Sequence, residues 1–201
     1  MIKESKIFYF IDRKDYVKNV NGDNVINIIG TKGSGKTTNT LKYIDNDEFI
    51  VVNCDKLLDM PIDDIFEDKF LSDIIKLLKD KYGNIPEGNE FLKCYNDIVD
   101  FCEKENKKLL IEGNLLYDID PITNLKGTVI VKRTGVLKCF FRTIKRDYPN
   151  KYFLDIEIKK HGKVLGRLFR LKNIIKRRTK IFKEVKFIES IIDSLIDINE
   201  E

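Results

Sequence analysis

The segment Gly30-Thr31-Lys32-Gly33-Ser34-Gly35-Lys36-Thr37-Thr38 combines residue types and a spacing that suit it to bind phosphate groups. Its first eight residues fit the pattern G-x-x-x-x-G-K-[ST]. The glycines let the backbone turn its N–H groups inward, toward an anion. We expect Lys36 to contact the β- and γ-phosphates of a bound nucleotide, and the Thr37 hydroxyl to bind Mg²⁺. The segment therefore predicts a binding site for nucleotide phosphates.

The residues on either side of this loop predict the strand and the helix that such a motif requires. Val25–Ile29 is an apolar, largely β-branched run, typical of a strand buried on both faces. Residues 38–44 can form a helix whose N-terminus adds its positive dipole end. A glycine loop that matches by chance is the alternative, and it is expected in on the order of 1% of chains this long. The strand–loop–helix context therefore favours phosphate binding.

Carboxylates follow two further strand candidates. Asp55 comes just after Phe49–Asn53, and Glu112-Gly113 comes directly after residues 108–111. Because ligands of open α/β sheets bind at the carboxyl ends of the strands, we expect both acids near the glycine-rich loop. Asp55 would accept the proton of an attacking hydroxyl or hold Mg²⁺ through water, and Glu112 would contact Mg²⁺. The alternative for Asp55 is that it only caps the helix that follows.

Charge is distributed unevenly along the chain. Residues 1–125 carry a net charge of −7, residues 126–186 carry +16 and residues 187–201 carry −5, which together give the formal +4. After a fourth strand candidate at 128–132, the basic block places Arg142 and Arg146 at i and i+4 of a predicted helix. Two guanidinium groups on one face would clamp a triphosphate and neutralise charge in the transition state. The alternative is a solvated basic face in which Arg146 or Lys145 pairs with Asp147.

Weaker patterns predict the remaining elements. A hairpin turn at residues 20–23 would join 16–20 to the strand before the loop, and residues 61–107 are helical with a break at 83–88. Residues 154–158 alternate like a strand, which a turn at His161-Gly162 would return along 163–165. A helix beyond this turn would carry four arginines on its outer side, and residues 187–196 would form an amphipathic helix. Those arginines are Arg167, Arg170, Arg177 and Arg178.

Length and composition define the class of protein. For a chain of 201 residues with 42% hydrophobic residues, we expect one domain, or one domain with an insert, with a sizeable core. We divide it into an N-terminal extension (1–23), a nucleotide-binding core (24–140), a basic lid or arm (141–186) and an acidic C-terminal helix (187–201). Its four cysteines contain no C-x-x-C and indicate reduced, mostly buried thiols of a cytoplasmic protein. No apolar run approaches the roughly 20 residues of a membrane span.

Four places along the chain together resemble the P-loop kinases of small molecules and nucleotides, the relatives of uridine kinase and adenylate kinase. They are Gly30–Thr38, Asp55, Leu110-Ile111-Glu112-Gly113 and the segment from Arg142 to Asp147, which resembles the arginine-rich opening of the lid in that group. The resemblance implies a three-layer α/β P-loop NTPase fold, with helices flanking a mostly parallel sheet in the order 2-3-1-4-5. It also implies Mg-ATP as the phosphate donor and a hydroxyl or phosphate as the acceptor.

Three functions are compatible with these patterns. The first is phosphoryl transfer from ATP to a small acceptor, most simply a nucleoside or nucleotide, with Lys36, Asp55, Arg142 and Arg146 as the catalytic residues. The second is a polynucleotide 5′-kinase-like enzyme that holds nucleic acid through residues 126–186. The third is an ATP-dependent regulatory or assembly protein, whose basic arm at 151–186 docks an acidic partner or an anionic membrane surface. The sequence lacks an [NT]-K-x-D string, and none of its strand candidates ends in an Asp-Glu pair of the type that motor ATPases use, which weakens the GTPase and mechanical ATPase alternatives.

Overall fold

The structure is a computed structural model that describes residues 7–11, 23–58, 70–113, 115–117, 119, 124–150, 160–181 and 183. The predicted strand at 16–20 and residues 20–22 of the predicted hairpin turn lie outside these residues. So do residues 61–69 of the predicted helical segment, the alternating segment 154–158 and the C-terminal helix at 187–196.

A parallel sheet forms the centre of the fold. Its strands are β1 (Ile7–Ile11), β2 (Val25–Ile29), β3 (Phe49–Asn53), β4 (Lys108–Glu112) and β5 (Thr128–Arg133). Strands β2 to β5 stand in the order β3-β4-β2-β5, each parallel to its neighbour, and β1 pairs in parallel with the outer edge of β5. The glycine-rich loop thus follows a strand that has neighbours on both sides.

The structure confirms the predicted α/β class with a parallel sheet flanked by helices, and the four strand candidates stand in the predicted relative order 2-3-1-4. The fifth position differs from the order that the resemblance implies. The strand beside the fourth one is β1, which comes from the segment assigned to the N-terminal extension. An apolar segment can pair with either edge of a parallel sheet, so its sequence alone does not predict its position.

Helices follow β2, β3 and β5 along the chain. They are α1 (Lys36–Thr40), α2 (Cys54–Leu57), α3 (Leu71–Tyr82), α4 (Phe91–Lys104), α5 (Val136–Asn150) and α6, which spans 160–181. The helix after the loop is α-helical to Thr40 and then tightens into a 3₁₀ turn at Leu41–Tyr43. The predicted break at 83–88 separates α3 from α4 and is confirmed. No helix in the part of the chain described here is long and apolar enough to cross a membrane.

Apolar residues of the inner strands form the core. Ile28, Ile50, Val51 and Leu110 have no exposed surface, as expected for strands covered on both faces. Helix α4 contributes the fully buried Tyr95, whose hydroxyl both donates to and accepts from the Lys126 backbone. All four cysteines are buried free thiols, which agrees with the burial expected from their spacing.

Asp97 on α4 joins this helix to α3. Its carboxylate accepts hydrogen bonds from Lys81 Nζ at 2.7 Å and from the Tyr82 hydroxyl at 2.6 Å. Burial alone would raise the pKa of Asp97, but the hydrogen bonds from Lys81 and Tyr82 outweigh it and hold the pKa below its ordinary value. The ionised carboxylate therefore stabilises the folded chain at neutral pH.

We predict that Asp97→Asn lowers the free energy of unfolding by about 1 kcal/mol or less at neutral pH, because Lys81 is largely solvated. A carboxyl with a depressed pKa stabilises the fold above its unfolded pKa of about 3.9, and this contribution is lost as the pH falls through the folded pKa. Urea unfolding of both proteins at neutral pH and at about pH 3 measures the difference. A gap between the proteins that stays constant across this range would contradict the prediction.

The chain forms two compact units, one of Met1–Gly30 with Gly35–Arg133 and the other of Thr31–Ser34 with Thr134–Glu201. In the second unit, residues 160–181 are helical, so the predicted strand at 163–165 is wrong and the predicted turn lies inside α6. Gly162 does retain a positive φ of 78°. Arg170, predicted on the outside, is buried, whereas Leu168 and Phe169 are exposed. The helix itself carries apolar residues on several sides, so the spacing of these residues does not indicate which face is covered.

Candidate functional site

The beginning and the end of the glycine-rich loop belong to the first unit. Gly30 follows β2, and Gly35 adopts a φ of 89° immediately before α1 begins at Lys36. The Lys36 side chain is buried, and its Nζ donates a hydrogen bond to the Gly30 carbonyl at 2.7 Å. Because an ammonium group has three N–H donors, this bond leaves the lysine able to bind anionic oxygens as well.

The hydroxyl of Thr37, the residue after Lys36, contacts the carboxylate of Glu112 at the end of β4. Thr37 Oγ1 donates to Glu112 Oε1 at 2.6 Å, and Glu112 is 1% exposed. Asn53 Nδ2, at the end of β3, donates to the same carboxylate oxygen at 2.8 Å. Mg²⁺ prefers such oxygen ligands, and in nucleotide sites one or two carboxylates suffice because phosphates and water complete the coordination.

Asp55 lies beside this cluster, in the first turn of α2. The N-cap of α2 is Asn53, whose Oδ1 accepts from the Asp55 backbone N–H at 2.8 Å. The alternative in which Asp55 itself caps the helix is therefore wrong, because Asn53 performs this role. The Asp55 side chain is half-buried at the carboxyl end of β3.

Asn53 is the site residue that the sequence analysis missed. Its amide oxygen accepts from the turn that carries Asp55, and its amide nitrogen donates to Glu112. It thereby connects the Glu112 carboxylate to the backbone of Asp55, two residues that were predicted separately. The available signal was a polar amide at the end of the otherwise apolar run Phe49–Val52, immediately before the helix.

The pKa of the Cys54 thiol depends on the charged side chains around it. Burial raises its pKa well above the ordinary value, the carboxylates of Asp55 and Glu112 raise it further, and Lys36 lowers it. Three of the predicted functional side chains therefore act electrostatically on one buried position. The thiol itself stays protonated at neutral pH and so lacks the character of a nucleophile.

Gly113, the residue after Glu112, has a φ of 148°, and a Cβ at this position would overlap with Cys54. We predict that Gly113→Ala destabilises the fold by about 2 kcal/mol or more, since the neighbouring atoms belong to a buried helix start. Gly88→Ala is the matched control, because Gly88 also has a positive φ (69°) but has no atom within 4 Å of the added methyl group. Urea unfolding measures both variants, and equal losses would contradict the steric argument.

The tip of the loop, Thr31–Ser34, belongs to the second unit and packs on α5. Gly33 has a φ of 81°, and a Cβ there would overlap with the Cys139 carbonyl. The Thr134 hydroxyl donates to the Ser34 carbonyl at 3.0 Å, and Thr31 Oγ1 lies 3.5 Å from Cys139 Sγ. Backbone and side-chain contacts thus join the tip to α5 and to Thr134.

Ser34 has a buried hydroxyl that lacks a hydrogen-bond partner among the residues described. Leaving such a group unpaired costs about 1–3 kcal/mol, unless a ligand or water satisfies it. Lys32 is half-buried and Thr38 is exposed. An unsatisfied hydroxyl in a glycine-rich loop fits a loop that binds a polar ligand.

Of the two predicted arginines, the structure places one beside the loop tip. Arg142 Nη1 donates to the Gly33 carbonyl at 3.5 Å, a long hydrogen bond, and the side chain is exposed. Arg146 lies one turn further along α5, and its side chain falls outside the described part of the structure, as does that of Asp147. The role predicted for these arginines stays a prediction.

In the first unit the structure therefore brings together four of the predicted residues, Lys36, Thr37, Asp55 and Glu112, around the carboxyl ends of β2, β3 and β4. The residues that the structure covers include no group of three or more His, Cys, Asp or Glu able to hold a metal ion by themselves. A metal here would need oxygens from a ligand in addition to those of the protein. No protein-family model matches the chain, and no curated protein matches its sequence.

Proposed function

We propose that this protein is a P-loop phosphotransferase that moves the γ-phosphate of Mg-ATP to a small hydroxyl or phosphate acceptor, most simply a nucleoside or nucleotide. The observation that carries the proposal is a 2.6 Å hydrogen bond to the buried Glu112 from Thr37, the residue that directly follows Lys36 in the glycine-rich loop. A hydroxyl and a carboxylate in contact behind a phosphate-binding lysine are the protein oxygens that a magnesium nucleotide requires.

The residues of the site fit this donor. Thr37 and Glu112 would hold Mg²⁺. Lys36 would contribute its remaining N–H donors to the phosphates. When bound, Mg-ATP supplies the phosphoryl group and a divalent charge that offsets the negative charge of the phosphates.

Asp55 supports phosphoryl transfer in preference to nucleotide binding alone. It lies in the first turn of α2, two residues after the Asn53 that holds Glu112. Its carboxylate would accept the proton of the acceptor hydroxyl, and the Asn53 amide would keep the turn in place while it does so. Arg142 and Arg146 would neutralise charge on the transferred group.

A panel of acceptors tests the proposal. The protein is incubated with Mg²⁺ and γ-labelled ATP in the presence of nucleosides, nucleoside monophosphates, small sugars and 5′-hydroxyl oligonucleotides. We expect a labelled small-molecule product with the wild type and none with Lys36→Ala, after circular dichroism has shown that the variant is folded. Label on the oligonucleotides alone would indicate the polynucleotide kinase alternative. ATP bound without any labelled product would contradict the proposal and favour a regulatory role.

A further inference from the structure

Helix α6 (160–181) is strongly basic and at the same time exposes apolar side chains. It contains nine Lys and Arg residues and no Asp or Glu. Among the described residues, the large apolar side chains that are exposed lie, with the single exception of Leu77, on α5 and α6 of the second unit. On α6 they include Val164 at 73% exposure, Leu165 at 55% and Leu168 at 54%.

These apolar residues share one face of the helix. At 100° per residue, positions 164, 165, 168, 169 and 175 fall within an arc of about 140°. The buried residues Gly166, Arg170, Ile174 and Ile181 fall on the opposite side, so the helix is covered on that side. The apolar arc is therefore an outward face. Its one aromatic ring, that of Phe169, is stacked by His161 at 4.3 Å between centroids.

Two lysines lie within the same arc. Lys172 and Lys176 are exposed and fall between Leu168 and Phe169 in angle, on the C-terminal half of the helix. The face thus requires a surface that accepts hydrocarbon and offers negative charge within a few ångströms. A nucleic acid also offers negative charge, but the protein sites that bind single strands combine cations with aromatic rings on which the bases stack. Exposed aliphatic side chains do not fit such a site.

We propose that this face of α6 docks on an anionic lipid bilayer, lying in the plane of the interface without spanning it. Aliphatic side chains would enter the boundary between headgroups and acyl chains, and the lysine stems would follow them while the ammonium groups stay at the lipid headgroups. Each cation near an anionic leaflet adds to the attraction, so binding depends on both the apolar face and the charge. This inference is independent of the phosphotransferase proposal.

Vesicle sedimentation of the full chain tests the inference. The vesicles consist of phosphatidylcholine alone or of phosphatidylcholine mixed with phosphatidylserine. The wild type is expected to sediment with the anionic vesicles and much less with the neutral ones. In the double variant Leu165→Ser/Leu168→Ser, binding to anionic vesicles should fall about tenfold or more, because two inserted side chains are lost. Lys172→Glu/Lys176→Glu should lower binding to a similar extent.

The exposed Leu77 on α3 of the first unit provides the matched control, since Leu77→Ser removes an equivalent side chain elsewhere and should bind vesicles like the wild type. Circular dichroism and thermal unfolding show whether each variant is folded. A wild type that fails to bind anionic vesicles overturns the inference. Vesicle binding that is unchanged in the leucine double variant also overturns it, because adsorption would then depend on charge alone. If the leucine double variant binds single-stranded RNA less tightly than the wild type but binds vesicles equally well, the face would be assigned to nucleic acid.

Discussion

The Asp55→Asn variant is expected to lose phosphoryl transfer by about 10²- to 10⁴-fold in kcat, the usual contribution of a general base, while it binds ATP nearly as well as the wild type. The amide has almost the same volume as the carboxylate but cannot take the proton of an acceptor hydroxyl. The backbone N–H of this residue, which donates to Asn53 Oδ1, is retained, so the turn should persist. Single-turnover transfer and calorimetric ATP binding separate the two quantities.

Asp73→Asn is the control for this experiment, because Asp73 is an exposed aspartate that also lies in the first turn of a helix. It should leave transfer and binding unchanged. Equal loss of transfer and of ATP binding in Asp55→Asn would contradict the role of Asp55 as a base. It would instead indicate that the carboxylate helps to hold the nucleotide.

Glu112→Gln is expected to abolish most of the effect of Mg²⁺ on ATP affinity, with a loss of about 10- to 100-fold in the apparent affinity for the metal. The glutamine oxygen can still accept from Thr37 and Asn53, so the local hydrogen bonds can remain while the negative charge is removed. Titration of ATP at several Mg²⁺ concentrations measures the effect. Because the residue is buried, circular dichroism must first show that the variant is folded.

The control is Glu103→Gln, a substitution of the same type at an exposed position on α4. Its Mg²⁺ response should equal that of the wild type. Thr37→Val should weaken the Mg²⁺ effect in the same direction as Glu112→Gln, because it removes the other oxygen of the pair. An unaltered Mg²⁺ response in both site variants would exclude this pair as the metal site.

The sequence was sufficient to locate the inner strands and the helix break. Strands buried on both faces appear as continuous apolar runs, and Val25–Ile29 and Phe49–Asn53 have the bounds that their composition predicted. The gap between α3 and α4 follows from a cluster of glycine, asparagine and proline at 83–88. Local chemistry determines such features, so a single sequence reveals them.

Features that depend on distant parts of the chain were not predictable. The position of β1 beside β5 depends on pairing across more than a hundred residues. The buried face of α6 depends on which side the folded chain covers, and Arg170 lies on that side. The double role of Asn53 requires Glu112, which is 59 residues away. The sequence predicted Asp55 and Glu112 as separate site residues, whereas only the fold shows that the Asn53 amide links them.

Calorimetric titration of the full chain with ATP, in the presence of Mg²⁺ and in the presence of EDTA, tests whether the glycine-rich loop binds a nucleotide. We expect that the wild type binds ATP more tightly with Mg²⁺, that Lys36→Ala loses binding, and that Lys76→Ala, a substitution of an exposed lysine on α3, binds like the wild type. An ammonium that pairs with phosphate contributes about 1.5–3 kcal/mol, which corresponds to a loss of roughly ten- to a hundredfold in affinity. Absence of ATP binding by the wild type, or equal binding by Lys36→Ala, would contradict the assignment of this loop as a nucleotide site.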